Sequence, residues 1–460
     1  MVNKRSSIHG TWSSRIAFIL AATGAAVGLG NIWKFPYITG ENGGGAFVIV
    51  YLACVIGVGL PVVIAEMVLG RRGRRNPIGT MRLLSEEEAG SSRWYLVAWM
   101  GVLTGMLILS YYSVVAGWTL SYVVETVRGT FRGDDASIVA VHFGELLASP
   151  WVLLGWHTLF MGFTIFVVAR GVQDGLEAAV RWMMPALFIL LLVLLGYSMS
   201  TGYFMDGVRF LFEPDFSALT PTAVMVALGQ AFFSLSVGMG AIMAYGAYLP
   251  EDTAIAPTAA IVVAADTTVA ILAGLAIFPI VFAYGLNPGE GPGLIFQTLP
   301  IAFGAMPFGT LFGTLFFVLL AIAAWTSAIG LMEPAVAYLV ERRDLTRRRA
   351  ALLIGGAIWL IGLATVFSFN IWSDATVTVG ERAFTAFDGV EFITSNIALP
   401  LGGLLIAVFA GWVMSKGSTL DEFERGAGAG YHVWRLLIRW LVPVALLLVF
   451  LHATGLMRFG

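Results

Sequence analysis

Three acidic residues stand where acids are costly. Glu66 lies in "PVVIAEMVLG", Asp266 in "VVAADTTVAILAG" and Glu333 in "SAIGLMEPAVAYLV", each with apolar neighbours on both sides. A carboxylate inside such a run is a functional candidate by default, because an apolar medium penalises its charge unless something pairs with it. The roles open to the three differ. Asp266, isolated in its run, suits direct neutralisation of a bound cation. Glu66 suits a structural post, accepting backbone N–H groups where a helix is interrupted. Glu333 precedes Pro334 and fits either a gate or a structural post. Asn31, Ser234 and Ser236, with Thr326 and Ser327 in "AAWTSAIG", add amide and hydroxyl oxygens, and oxygen donors suit hard cations. Tyr111 and Tyr112 in "LSYYSVVAGW" read, on pattern alone, as core aromatics. Cys54 has no evident base partner and the five histidines form no nucleophile–base set, so an enzyme is not expected. A lone cysteine also allows no internal disulfide and argues for neither a metal site nor a redox centre.

The elements that position these groups are membrane helices. Hydrophobic residues make up 58% of the 460, charged residues 12%, and mean hydropathy is +0.86; a soluble domain has about 45–50% and about 25%. Apolar runs continue for about 20 residues or more, which excludes a β-barrel with its alternating strands. Eleven spans are predicted, at 15–38, 44–70, 95–125, 150–170, 177–199, 222–248, 257–285, 307–340, 350–370, 391–415 and 433–457. The connections 126–149, 200–221 and 286–306 are long enough for structure of their own. Twenty of the 26 Lys and Arg residues fall on one side if the N-terminus is cytoplasmic, so the N-terminus is placed inside and Gly460 outside. No cleavable signal is needed. The net charge of −2 says nothing about partners; no nucleic-acid partner is expected.

Two glycine pairs interrupt this pattern. Val-Gly-Leu-Gly at 27–30 is answered by Val-Gly-Met-Gly at 237–240, although Gly costs a helix interior roughly 1 kcal/mol relative to Ala. Small residues also let helices pack closely, but a matched pair in spans 1 and 6 points to two broken helices in a five-span repeat. Five is odd, so the second unit enters from the opposite side. The fold class is therefore an all-α polytopic membrane protein with eleven spans. It is a 5+5 inverted repeat (15–199 and 222–415) with spans 1 and 6 broken, a cytoplasmic segment 1–14, an outer loop 200–221, an inner loop 416–432 and a last span within 433–460. Interrupted segments at matching places in two halves mark a transporter's binding site, since unpaired backbone survives at membrane depth only where it lines a cavity.

"GLGNIWKFPYITGENGGGAF" and "GQAFFSLSVGMGA" strongly resemble the neurotransmitter:sodium symporter family, closest to its bacterial amino-acid transporters and their eleven-span subgroup. The resemblance covers spans 1 to 10 in order. It implies two sodium sites and a substrate pocket at mid-membrane. The first site would use the Ala26 carbonyl, Asn31, Ser234, Asp266 and the substrate carboxylate, to which Tyr112 would also donate. The second would use the carbonyls of Gly24, Val27 and Ala323 with the hydroxyls of Thr326 and Ser327. Ile108, Phe233, Ser236, Met239 and Leu331 would line the side-chain pocket, beside the backbone of Ala26, Gly28, Gly30 and Gly238. Lys34 and Glu391 would form an outer gate over Phe233, and Trp12, Tyr248, Glu333 and Glu341 an inner gate. Alternating access would rock spans 1, 2, 6 and 7 against the rest.

Four departures from the family pattern shape the expected function. Asp266 replaces the Asn of chloride-dependent members, whose later Ser is here Ala270, so chloride independence is expected. Gly28, where monoamine carriers have Asp, argues for a substrate with its own carboxylate. Lys34 replaces Arg and loses the two-pronged pairing geometry. His9 stands where the inner-gate Arg is usual; either Arg5 reaches Glu341 from further back, or His9 makes the gate pH-dependent. The expected function is sodium-coupled import of neutral, hydrophobic or aromatic L-amino acids by a monomer or weak homodimer in a bacterial inner membrane. A carrier of betaine or a γ-amino acid is the alternative. A channel would need a filter that the sequence lacks, and a non-transporting sensor is expected to carry a signalling domain, for which neither terminus leaves room.

Overall fold

The computed structural model describes residues 5, 7–133, 136–289, 293–379, 382–423 and 428–457. The principal helices are α1 (Arg15–Ala26), α2 (Gly30–Glu41), α3 (Gly45–Gly73), α4 (Pro77–Ala89), α5 (Tyr95–Arg128), α6 (Pro150–Val168) and α7 (Val172–Met199). They continue with α8 (Pro221–Ser234), α9 (Ala241–Ala247), α10 (Ile255–Ala283), α11 (Gly309–Arg343), α12 (Arg347–Ser368), α13 (Ala386–Val413) and α14 (Gly428–Ala453). Among the described residues nine helices are long and apolar enough to cross a membrane, ten when α1 and α2 are taken as one span bent by 53°. The expected span 222–248 is broken as expected, into two short helices of 14 and 7 residues. Lys4, Arg425, Arg458 and Gly460, used in the sidedness argument, lie outside the described residues.

Local sequence sets the ends. Ser14 caps α1 by accepting the Ala17 N–H at 3.1 Å. Thr220 caps α8 in the same way, with Pro221 at the first helical position, where its missing N–H costs nothing. Three helices begin five residues before the predicted spans, at Val172, Ala386 and Gly428 instead of 177, 391 and 433. Two of these extensions carry acids, Asp174 in the first and Asp388 in the second. Asp388 is part of a capping box with Thr385, a polar signal that an apolar-run reading passes over. Each of the three long connections carries a helix, namely Ala136–Ala148, Phe204–Phe212 and Leu294–Ala305. A two-stranded hairpin, β1 (Val377–Val379) with β2 (Arg382–Phe384), lies between α12 and α13. Helix α4 was not anticipated.

α5 and α11, of 34 and 35 residues, are each about 50 Å long at 1.5 Å per residue. They pack along one another, and α11 also packs against α1. α9 runs along α3 at a separation only glycine allows: a Cβ on Gly70 would stand 2.1 Å from the Met243 carbonyl oxygen, and one on Gly246 would stand 3.1 Å from Met67 Cα. Small residues at such crossings let two backbones meet. The frame thus holds both breaks, 27–29 and 235–240, at its centre.

Candidate functional site

The two breaks arise differently. At the first, Val27 leaves the helix in an extended conformation (φ −66°, ψ 113°). Gly28 and Gly30 do not have left-handed backbone; they are required by space. A Cβ on Gly28 would stand 2.7 Å from the Tyr112 hydroxyl and 2.9 Å from Ser327 Oγ, and one on Gly30 would stand 3.0 Å from the Phe233 ring. At the second break Ser236, Gly238 and Gly240 have φ of +53°, +87° and +80°, a region L side chains rarely adopt. Glu66, fully buried on α3, accepts the Gly238 N–H at 2.7 Å and the Met243 N–H at 3.1 Å. The carboxylate so satisfies donors that the interrupted helix leaves free.

The freed groups of the first break are met by side chains from other elements. Ser236 and Ser327 both donate to the Ala25 carbonyl at 2.9 Å. Gln230 Nε2 donates to the Gly30 carbonyl at 2.8 Å, the Gly28 N–H to Asn31 Oδ1 at 3.0 Å, and the Leu29 N–H to the Tyr112 hydroxyl at 3.1 Å. That last bond uses an oxygen lone pair of Tyr112 and leaves its proton available to another acceptor.

Asn31, Ser234 and Asp266 converge. Asn31 Nδ2 donates to Asp266 Oδ1 at 2.8 Å and to Ser234 Oγ at 3.0 Å, and Ser234 donates to Asp266 Oδ2 at 2.6 Å. The Asp266 carboxylate is fully buried and makes no ion pair among the described residues. Its neighbours are neutral donors, so a buried charge stands without a counter-charge, which is costly in an apolar interior. Carboxylate, amide and hydroxyl oxygens together are the kind of donor set that suits a hard cation. Of the second expected set, Gly24 lies against Thr326, whose Cβ is 3.3 Å from a Cβ built on Gly24, and Thr326 donates to the Ala323 carbonyl of its own helix at 3.0 Å.

Between the breaks lies a cavity lined by Ala26, Gly28, Gly30, Ile108, Tyr112, Phe233, Ser236, Met239, Ser327 and Leu331. Its free space holds about one water molecule. The residues expected as gates make contacts at either end. At one end Lys34 Nζ is 3.3 Å from Glu391 Oε1 and 4.5 Å above the Phe233 ring centre. At the other end Trp12, 1% exposed, donates its indole N–H to the Tyr245 carbonyl at 3.1 Å, and its backbone N–H to the Tyr248 carbonyl at 3.0 Å.

The four residues expected at that second end divide between two clusters. Tyr248 donates to Glu333 at 2.9 Å, and both Glu333 oxygens accept from the Arg347 guanidinium. Glu341 instead pairs with His9 Nε2 at 3.1 Å and accepts the Asn76 backbone and side-chain N–H groups, each at 2.6 Å. Arg5 reaches Glu87 and the Arg72 carbonyl, and His9 is therefore the partner of Glu341. Sequence reasoning missed Arg347, Asn76, Gln230 and Ala25. Asn76 had a signal in its Asn-Pro step before a helix. Arg347 had none, since it opens a run of three arginines that reads as a loop.

Comparison with known proteins places this geometry. Residues 9–136 and 139–458 match the sodium:neurotransmitter symporter family. An uncharacterized sodium-dependent transporter of Bacillus subtilis, YhdH, is 40% identical over 97% of this chain and 98% of its own length. The sodium-dependent dopamine transporter of Bos taurus is 25% identical over 95% of this chain and 68% of its own. The crystal structure of MhsT in complex with L-phenylalanine superposes with a TM-score of 0.88 at 42% identity, covering 96% of this chain and 99% of that one. Broken helices, a mid-molecule cavity and near full-length matches thus converge: the chain is a multi-pass membrane protein of the sodium:neurotransmitter symporter family, whose members couple transport to sodium.

Proposed function

We propose that the protein is a two-sodium symporter importing neutral, hydrophobic or aromatic L-amino acids by alternating access, independently of chloride. The observation that carries this reading is the Asp266 carboxylate, buried between Asn31 and Ser234 beside the cavity and without a cationic partner. Sodium held by Asp266, Asn31, Ser234 and the Ala26 carbonyl would meet that charge, and the fixed carboxylate would do what chloride does elsewhere. The second ion would lie with Gly24, Val27, Ala323, Thr326 and Ser327. The substrate carboxylate would complete the first site and accept from Tyr112, whose proton is not committed to Leu29. Its amino group would meet backbone carbonyls at the breaks, and its side chain would face Ile108, Phe233, Ser236, Met239 and Leu331. The binding of L-phenylalanine by MhsT supports an aromatic range.

In this reading the α8–α9 pair completes eleven crossings, the basic end is cytoplasmic with the C-terminus outside, and the membrane is a bacterial inner membrane. The protein works as a monomer or weak homodimer. Lys34 with Glu391 closes the outer end. Trp12, Tyr248 and Glu333 close the inner one with Arg347, as does His9 with Glu341. The test is uptake into proteoliposomes of single labelled amino acids, with inward sodium gluconate or potassium gluconate. Concentrative uptake of leucine or tryptophan only with sodium supports the reading. Uptake confined to betaine or γ-aminobutyrate overturns the substrate class and leaves the coupling.

A further inference from the structure

The Gly238 peptide carries Met239 into the cavity, and it is gripped from behind by two glycines that line no part of the cavity. On α13, a Cβ on Gly402 would stand 2.6 Å from the Gly238 carbonyl oxygen. On α5, a Cβ on Gly101 would stand 2.9 Å from that same oxygen and 3.4 Å from Met239 Cα. Both contacts are to backbone, which cannot rotate away as a side-chain end can. Gly238 itself is equally confined: its own Cβ would meet the Leu399 carbonyl oxygen at 2.8 Å. Its N–H is tied to Glu66 at 2.7 Å. The peptide is thus stopped by α13 on one side, α5 on another and α3 through Glu66. No residue of α13 lines the cavity, so from α13 the order is Gly402, Gly238, Met239, cavity.

We propose that Gly402 and Gly101 are specificity-determining positions. Their missing side chains set how far the Met239 segment stands back, and so the largest amino-acid side chain admitted; this rests on the substrate class proposed above. A methyl group at either position must move the Gly238 carbonyl by roughly half an ångström or more to regain a normal contact, and the open direction is the cavity. Met239 then advances into the space a large substrate side chain needs. A small substrate does not reach it. Gly105, one turn beyond Gly101, is the contrast: its nearest neighbours to a built Cβ are the Leu331 carbonyl oxygen at 3.6 Å and Met239 Cβ at 3.8 Å, so alanine fits there without displacing the loop.

The experiment is sodium-driven uptake in proteoliposomes, with KM and maximal rate for L-tryptophan and L-alanine. Wild type, Gly402→Ala, Gly101→Ala, Gly105→Ala, and Gly402→Ala combined with Met239→Ala are compared. Gly402→Ala is expected to raise KM for tryptophan at least about tenfold, the scale on which a pocket resents one extra carbon, with alanine within about twofold. Trimming Met239 in that background is expected to restore tryptophan, a coupling between sites that a general loss of stability does not produce. Gly105→Ala is expected to keep the wild-type ratio. Equal losses for both substrates, or no rescue by Met239→Ala, overturn the proposal. Should Gly402→Ala not fold, Gly101→Ala carries the same expectation through the same carbonyl. A wild type that takes up alanine but neither leucine nor tryptophan sinks the substrate class. A normal wild type with size-blind variants sinks this inference alone.

Discussion

The two glycine motifs look alike in sequence but rest on different physics at the level of single residues. Gly28 and Gly30 make room for Tyr112, Ser327 and Phe233, whereas Gly238 and Gly240 have left-handed backbone. Alanine at 28 presses on the ends of side chains, so trimming Ser327 or Tyr112 should relieve it partly. Alanine at 238 is strained by its own φ and by the Leu399 carbonyl, and no neighbouring side chain can relieve it. We expect Gly28→Ala to regain part of its lost melting temperature on addition of Ser327→Ala, which removes the 2.9 Å contact, and Gly238→Ala to gain nothing from any such partner; thermal unfolding in detergent measures both. The Asp266 charge makes a second prediction. Wild-type uptake should be equal in sodium chloride and sodium gluconate, while Asp266→Asn should lose most of its gluconate activity, because the site then has no fixed anion. If the two proteins show the same anion profile, Asp266 is not the counter-charge.

Elements meet through buried polar posts, and here the sequence was only partly readable. Glu66 could be singled out because a carboxylate in an apolar run needs donors, and the interrupted helix offers Gly238 and Met243 N–H groups. Glu66→Gln keeps one acceptor and turns an N–H₂ toward a backbone donor. It should cost about 1–3 kcal/mol for the group left unsatisfied, read as a lower melting temperature in detergent. Arg347 could not be singled out. Its partner Glu333 lies 14 positions back, and only the reversal of chain direction from α11 to α12 brings them together. Arg347→Ala, leaving a fully buried acid unpaired, is expected to destabilise by about 3–5 kcal/mol, and Glu333→Gln in that background to recover part of it. His9 lay between two readings until the fold placed Arg5 on Glu87.

For the molecule as a whole, a cavity with free space for about one water molecule must open before the proposed substrate and ions can enter. Ligands that bind this folded arrangement should stabilise it: sodium with tryptophan, each near 100 times its dissociation constant, should add about 2.7 kcal/mol per site. The melting temperature should rise with both together by more than the sum of the separate rises, because the substrate carboxylate would complete the first sodium site; a merely additive rise would separate the two sites. Two ions crossing 100 mV with tenfold gradients release about 7 kcal/mol, enough for roughly a 10⁵-fold accumulation of a neutral zwitterion, and uptake should carry inward current. The unequal breaks have a further consequence for the cycle. Identical inverted halves would make the two access states mirror images of equal free energy. Here one half bends because neighbours crowd it and the other because its own backbone turns left-handed, so that degeneracy is lifted. Under the proposed alternating access, the carrier is expected to have a preferred resting orientation before any gradient is applied.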